Sequence, residues 1–235
     1  MLHYNRDKII DIIEKYFNFD NDDYLTDSNF FDFFKDSTED CLIPGFSYSY
    51  GATKLCLIPT DDSDYVIKIP FIADSSGEVF FGANNNQNDW DYCLTEVEIY
   101  NRALEEGLSF LFAETHLLYS KNNFNFYIQQ RCTLEEDINP YETFNISYKE
   151  ATPYLNRVAA LTHCFHFGIS ATYLALVYRT YGEVVGDAFF KFLSDRRITD
   201  LHSGNCGYNL NYKPVLVDFS SYNEYPYDDS EVENS

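Results

Sequence analysis

The chain has 235 residues, 45% of them hydrophobic, which is enough to bury a core as one domain or two small lobes. Its 16 Lys and Arg against 38 Asp and Glu give a formal net charge of -22, which argues against general binding to nucleic-acid phosphates or anionic membrane surfaces. Six cysteines (Cys41, Cys56, Cys93, Cys132, Cys164, Cys206) include no C-x-x-C pair, and no signal peptide or long apolar span is visible, so they read as reduced thiols of a cytoplasmic protein. The abundance of Tyr, Phe, Asn, Asp and Ile suits AT-rich codons and hence a bacterial or phage gene.

"NRDKIIDIIEKYF" places Ile9, Ile10, Ile12, Ile13, Tyr16 and Phe17 on a helical period behind an Asn5 cap, predicting an opening helix. A second short helix is expected over "SNFFDFFKD". "CLIPGFSYSYGA", "TKLCLIP" and "DYVIKIPF" then form three β-rich runs separated by turn residues, an expected antiparallel meander with Lys68 inside the third. "SSGEVFFGANNNQND" reads as a loop. "WDYCLTEVEIYNRALEEG" has helical spacing up to Gly107, with Val97, Tyr100 and Leu104 on one face. "FAETHLLYS" and "FNFYIQQRC" are expected as a hairpin turning at Lys121-Asn122-Asn123.

Beyond residue 134 the pattern becomes helical. "YKEATPYLNRVAALTHCFHFG", "ATYLALVYRTYG" and "EVVGDAFFKFLSDRR" repeat apolar residues at three- and four-residue intervals, punctuated by Gly168, Gly182 and Gly186. The chain closes on "RITDLHSGNCGYNLNYKPVLVDFSSY" and an acidic tail, "YPYDDSEVENS". Asp200 and Asn205, five positions apart on a tight loop, can face one site. Asp218 follows the apolar run Val215 to Val217 after a glycine-marked turn. Hard oxygen donors of this kind suit magnesium, and such a set suits phosphoryl transfer, which needs positioning and charge stabilisation more than covalent chemistry.

These residues resemble the protein-kinase-like superfamily. "ITDLHSGN" followed by "DFS" keeps the Asp-to-Asn spacing of the H-R-D-L-x-x-x-N loop and the Asp of D-F-G, and "DLHSGN" is closer to atypical, aminoglycoside-phosphotransferase-like kinases. The resemblance implies an α+β, two-lobed protein-kinase-like fold with a β-rich N-lobe and a short, mostly helical C-lobe. Residues 1–38 would be an N-terminal helical extension, 39–133 the nucleotide-binding lobe, 134–222 the helical lobe and 223–235 the tail. It further implies ATP and magnesium as cofactors, with Asp200 as the catalytic Asp and Asn205 and Asp218 as metal ligands. Lys68 in "VIKIP" would hold the nucleotide phosphates and contribute to catalysis, with Glu96 as its partner rather than Glu98, because Ile99, Tyr100 and Ala103 put Glu96 on the buried side. Gly45 and Gly51 of "GFSYSYGATK" would cover the phosphates, and Gln130 in "YIQQRC" would lie where a hinge carries the adenine. Three departures stand out: Ile198 where the family often has His, Ser220 in place of the Gly of D-F-G, and only 17 residues after Asp218.

Structural alternatives accompany each assignment. Asp200 suits a turn cap, Lys68 a solvated strand face, and Glu96 ordinary helix-surface charge. His163 and His166 around Cys164 have a spacing compatible with a shared metal, but no further ligand accompanies them, and helix packing is the simpler expectation. The runs "FFDFF" and "VFF" suit core stripes. The function expected is phosphoryl transfer from ATP to an unidentified hydroxyl acceptor, on a protein or a small molecule. The alternatives are a pseudokinase-type nucleotide-binding module and an acidic interaction or inhibitor module for a basic protein partner.

Overall fold

The computed structural model describes residues 2–20, 30–35, 43–51, 53–71, 91–122, 124–162, 169–198 and 200–220. The opening helix, α1 (Arg6–Tyr16), starts where Asn5 accepts a hydrogen bond from the Lys8 amide at 3.1 Å. Its Ile9 and Ile13 are buried, and Phe17 follows with its ring 4.9 Å from those of Phe124 and Phe126. The helix within segment 1–38 thus packs its buried face against the sheet. Among the described residues the expected second helix is a 3-10 turn, Phe30–Phe33, and Phe33 and Phe34 join the core as the aromatic stripe predicts.

Five antiparallel strands form that sheet in the order β1-β2-β3-β5-β4: β1 (Phe46–Tyr50), β2 (Lys54–Pro59), β3 (Tyr65–Pro70), β4 (Thr115–Lys121) and β5 (Phe124–Gln130). The first three are the expected meander. Side chains alternate across a strand, so Leu55, Leu57, Ile67, Ile69, Phe126 and Ile128 all turn toward α1. The opposite face carries Lys54, Cys56, Lys68, Tyr127 and Gln129, with Cys56 and Tyr127 in register on either side of Lys68. A polar face of this kind needs a partner, and α2 (Tyr92–Glu105) supplies it.

The remainder builds a second core. It contains α3 (Pro140–Phe144), α4 (Tyr148–Thr162), α5 (Ala171–Tyr181), α6 (Glu183–Asp195) and a small sheet of β6 (Thr133–Leu134), β7 (Cys206–Tyr208) and β8 (Pro214–Leu216). Phe112 links the two parts, with its ring 5.0 Å from that of Phe219 and 5.5 Å from that of Phe192, and the next amide, Ala113, donates to Leu216 at 2.7 Å. The protein is thus a mixed α+β structure. Among the described residues no helix is long and apolar enough to cross a membrane.

Three local expectations change. The buried face of α2 is Cys93, Glu96, Ile99 and Ala103, whereas Leu104 is exposed and Val97 and Tyr100 only half-buried. Gly182 does separate α5 from α6, but Gly186 lies inside α6, where a Cβ would stand 2.5 Å from the Tyr178 ring. Gly207 is likewise a strand residue, its missing Cβ leaving room for the Thr133 carbonyl at 2.7 Å, and the β7–β8 turn is made by Asn209 to Lys213. The loop at 75–89, Gly168, the pair His163 and His166 with Cys164, the run "VFF" and the acidic tail lie outside the described residues.

Candidate functional site

The polar face of the sheet, the buried side of α2 and the β7–β8 hairpin meet at four charged side chains. Lys68 is 3% exposed, which excludes the solvated-face alternative, and its ammonium lies 2.9 and 3.1 Å from the two carboxylate oxygens of Glu96. It also donates to the Val217 carbonyl at 3.2 Å, binding the sheet to the hairpin. Glu96 is wholly buried, and Gln129 donates to it at 3.3 Å. Its helix is anchored by Asp91, whose carboxylate caps the Leu94 amide at 2.9 Å and accepts from Tyr127 at 2.5 Å and Asn125 at 3.0 Å. That anchoring holds the first turns of α2 against β5 and so directs Glu96 at Lys68.

The fourth member is Lys54, which sequence analysis missed. Its ammonium donates to Glu96 at 2.7 Å, to Asp218 at 2.8 Å and to Ser220 at 3.3 Å. The signal was present: Lys54 and Cys56 alternate with Leu55 and Leu57, and Cys56 pairs with Lys68, so both lysines share one face. Its position beside the β1–β2 turn, however, reads as an ordinary strand end until its partners are seen.

Asp218 arrives by way of the hairpin. The amides of Val217 and Asp218 both donate to the Asn205 carbonyl, at 2.9 and 3.2 Å, so Asn205 and Asp218 are braced side by side. The Asn205 side-chain amide donates to the Asp200 carbonyl at 2.7 Å, closing the loop that carries Asp200. Asp200 itself is 39% exposed at its side chain, 3.9 Å from His202. Ile198, at the position where His was the family expectation, is a core residue. Ser220 is buried and donates to the same Asp218 oxygen as Lys54, at 3.1 Å.

Burial alone would push the Asp218 carboxyl up, but Lys54 and Lys68 outweigh it and hold the group below the ordinary carboxylate range. Burial would likewise strip Lys54 of its proton, and Asp218 and Glu96 reverse that, leaving its pKa well above the ordinary value. Burial raises Glu96 against the pull of both ammoniums, which lie within 3.1 Å of it. Two lysines and two carboxyl groups therefore form a closed cluster.

The remaining expected residues divide. Gly51 lies in the β1–β2 turn, its amide donating to Lys54 at 3.1 Å. Gly45 does not: it sits before β1, at the other end of that strand, where its carbonyl accepts from Thr60, because β1 runs the full distance between the two glycines. Gln130 ends β5 with its amide donating to Glu114 at 2.7 Å and its side-chain oxygen accepting from the Glu114 amide at 3.4 Å, so both face β4.

A divalent ion on Asn205 and Asp218 can be tested against these contacts. Among the described residues no group of three or more His, Cys, Asp or Glu could hold a metal ion. One of the two Asp218 oxygens, Oδ1, already accepts from both Lys54 and Ser220. The donors are of the right chemical kind, but a divalent ion on this carboxylate would stand beside the Lys54 ammonium, 2.8 Å from Oδ1, and the repulsion makes the fit poor. Two surface depressions, one beside Arg102 and Arg196 and one beside Tyr4 and Lys8, lie away from this cluster. No protein-family model matches the chain, and no curated protein matches it.

Proposed function

We propose that the cluster is the phosphate end of a nucleotide site in a two-lobed, kinase-like protein that takes ATP, with magnesium as its counter-ion, and transfers a phosphoryl group to a hydroxyl acceptor. The observation that carries this is the buried Lys68–Glu96 pair lying against the hairpin that delivers Asp218. Two lysines, a buried helix carboxylate and a hairpin Asp drawn from β2, β3, α2 and the segment after β8 form a costly arrangement for mere stability, since buried ion pairs contribute little net stabilisation over apolar packing. Perturbed, mutually dependent titratable groups of this kind mark functional sites more often than structural ones.

In this reading Lys68 meets phosphate oxygens and Glu96 holds it in position. Asp200, half-exposed on a loop closed by Asn205, orients the acceptor hydroxyl and receives its proton. Gly51 lets the β1–β2 turn approach the phosphates. No step is routed through a metal ion, because Lys54 occupies the Asp218 oxygen.

A second reading, a nucleotide-binding module without transfer, is favoured by that same Lys54–Asp218 contact. The test is ATP binding to the full chain by calorimetry, followed by transfer of labelled γ-phosphate to a panel of protein and small-molecule acceptors. Binding abolished by Lys68→Met, with transfer lost but binding kept in Asp200→Asn, supports the enzyme. Binding without transfer supports the module. No binding to wild type overturns both, leaving the acidic interaction protein for a basic partner.

A further inference from the structure

The four-charge cluster contains one lysine more than phosphate binding through a Lys–Glu pair needs, and the extra one lies on the carboxylate that should hold metal. Lys54 is 5% exposed, and its ammonium has a matched acceptor for each of its three hydrogens: Glu96, Asp218 and Ser220. Its backbone is equally fixed, with β2 paired to β3 from Lys54 opposite Pro70 onward and the preceding Thr53 carbonyl accepting from Phe71 at 2.7 Å. A carboxylate oxygen has two lone pairs, and on Asp218 Oδ1 they receive Lys54 and Ser220. A divalent ion on that oxygen would face an ammonium already 2.8 Å away, and two cations on one oxygen repel.

We infer that Lys54 is the resident cation of this site: its ammonium occupies Asp218 Oδ1, and its charge beside that carboxylate keeps a divalent ion from either oxygen. Ser220 completes the arrangement by directing its hydroxyl at the same oxygen. The consequence for ligands is that phosphate oxygens are met by Lys54 and Lys68 directly. The contacts they would replace are the longest ones, Lys54 to Ser220 at 3.3 Å and Lys68 to the Val217 carbonyl at 3.2 Å, so both ion pairs persist. This consequence rests on the nucleotide site proposed above; the exclusion of metal from Asp218 does not.

The two parts are separable by experiment. Manganese uptake by the full chain is measured from loss of the free-ion paramagnetic signal, in wild type, Asp218→Asn, Lys54→Met and the double variant. Wild type and Asp218→Asn should titrate identically, the remaining weak uptake being that of the acidic surface. Lys54→Met should gain one site per chain, tighter by about tenfold or more than that background, and the double variant should lose it. A wild-type site that disappears in Asp218→Asn overturns the inference, as does a folded Lys54→Met without a new site. Should Lys54→Met fail to fold, the comparison of wild type with Asp218→Asn decides alone. In the nucleotide arm, ATP affinity of wild type in EDTA and in magnesium should agree within about twofold, whereas an increase of about tenfold with magnesium that Asp218→Asn abolishes overturns the inference. Absence of all ATP binding removes the proposed function and leaves the manganese result to decide the role of Lys54.

Discussion

Glu96 and Glu98 are two residues apart on one helix and meet opposite fates. Glu96 is wholly buried between two ammoniums, whereas Glu98 is exposed on the rim of a surface depression. Removing one partner of a buried ion pair leaves uncompensated charge and costs about 3–5 kcal/mol, while a surface substitution stays within about 0.5 kcal/mol. Glu96→Gln should therefore lower the urea midpoint strongly and Glu98→Gln leave it nearly unchanged. Equal effects would mean that Glu96 does not hold both lysines. The choice between them was legible in the sequence, because Ile99 and Ala103 lie three and seven positions beyond Glu96 and both are buried. The second lysine was not legible in the same way: its partners are 42 and 164 residues away, beyond any local period.

Among the elements, α5 and α6 show how a glycine can be read two ways. Gly186 looks like punctuation in sequence, yet it is a contact point inside α6. The Tyr178 ring it faces cannot easily withdraw, being stacked on Tyr154 at 4.9 Å and on Phe190 at 5.8 Å, with its hydroxyl donating to Asp187 at 3.0 Å. Alanine in a helix interior is favoured over glycine by about 1 kcal/mol, whereas overpacking a filled core costs about 1–3 kcal/mol. With 2.5 Å between the new Cβ and a pinned ring, the clash wins. Gly186→Ala should be destabilising in urea unfolding, by up to about 2 kcal/mol net; a stabilised variant would show that α5 and α6 can move apart.

The whole molecule carries a net charge of -22, so acid has two opposing effects on it. Protonating surface carboxylates relieves self-repulsion. Protonating Asp218 removes a stabilising charge: its folded pKa lies below the unfolded value, because Lys54 and Lys68 outweigh its burial. Its contribution is complete above the unfolded value of about 4 and is lost as pH falls through the lower folded one. Lys54, raised when folded, contributes fully below about 10.4 and loses this only as pH rises through its higher folded value. Across neutral pH the contributions of Asp218 and Lys54 are thus both complete. The stability difference between wild type and Asp218→Asn, measured by urea at each pH, should hold steady from about pH 7 to 5 and shrink below about pH 4. A difference that persists unchanged to about pH 3 would show that Asp218 is not held down by the lysines.

The sequence by itself determined the antiparallel meander, the opening helix with its Asn5 cap, and the placement of Lys68, Glu96, Asn205 and Asp218 within or beside defined elements. Those features follow from periods of two and about 3.6 residues and from turn chemistry, which act over a few neighbours. Only the tertiary structure decided that α1 belongs to the sheet, that Gly45 is a strand's length from Gly51 and the β1–β2 turn, and that Lys54 completes the charged cluster. Each depends on how finished elements dock, and alternation can place Lys54 on the polar face without saying which carboxylate it will meet there. The β7–β8 hairpin settles that by bringing Asp218 to within 2.8 Å of its ammonium, where burial makes the pairing obligatory.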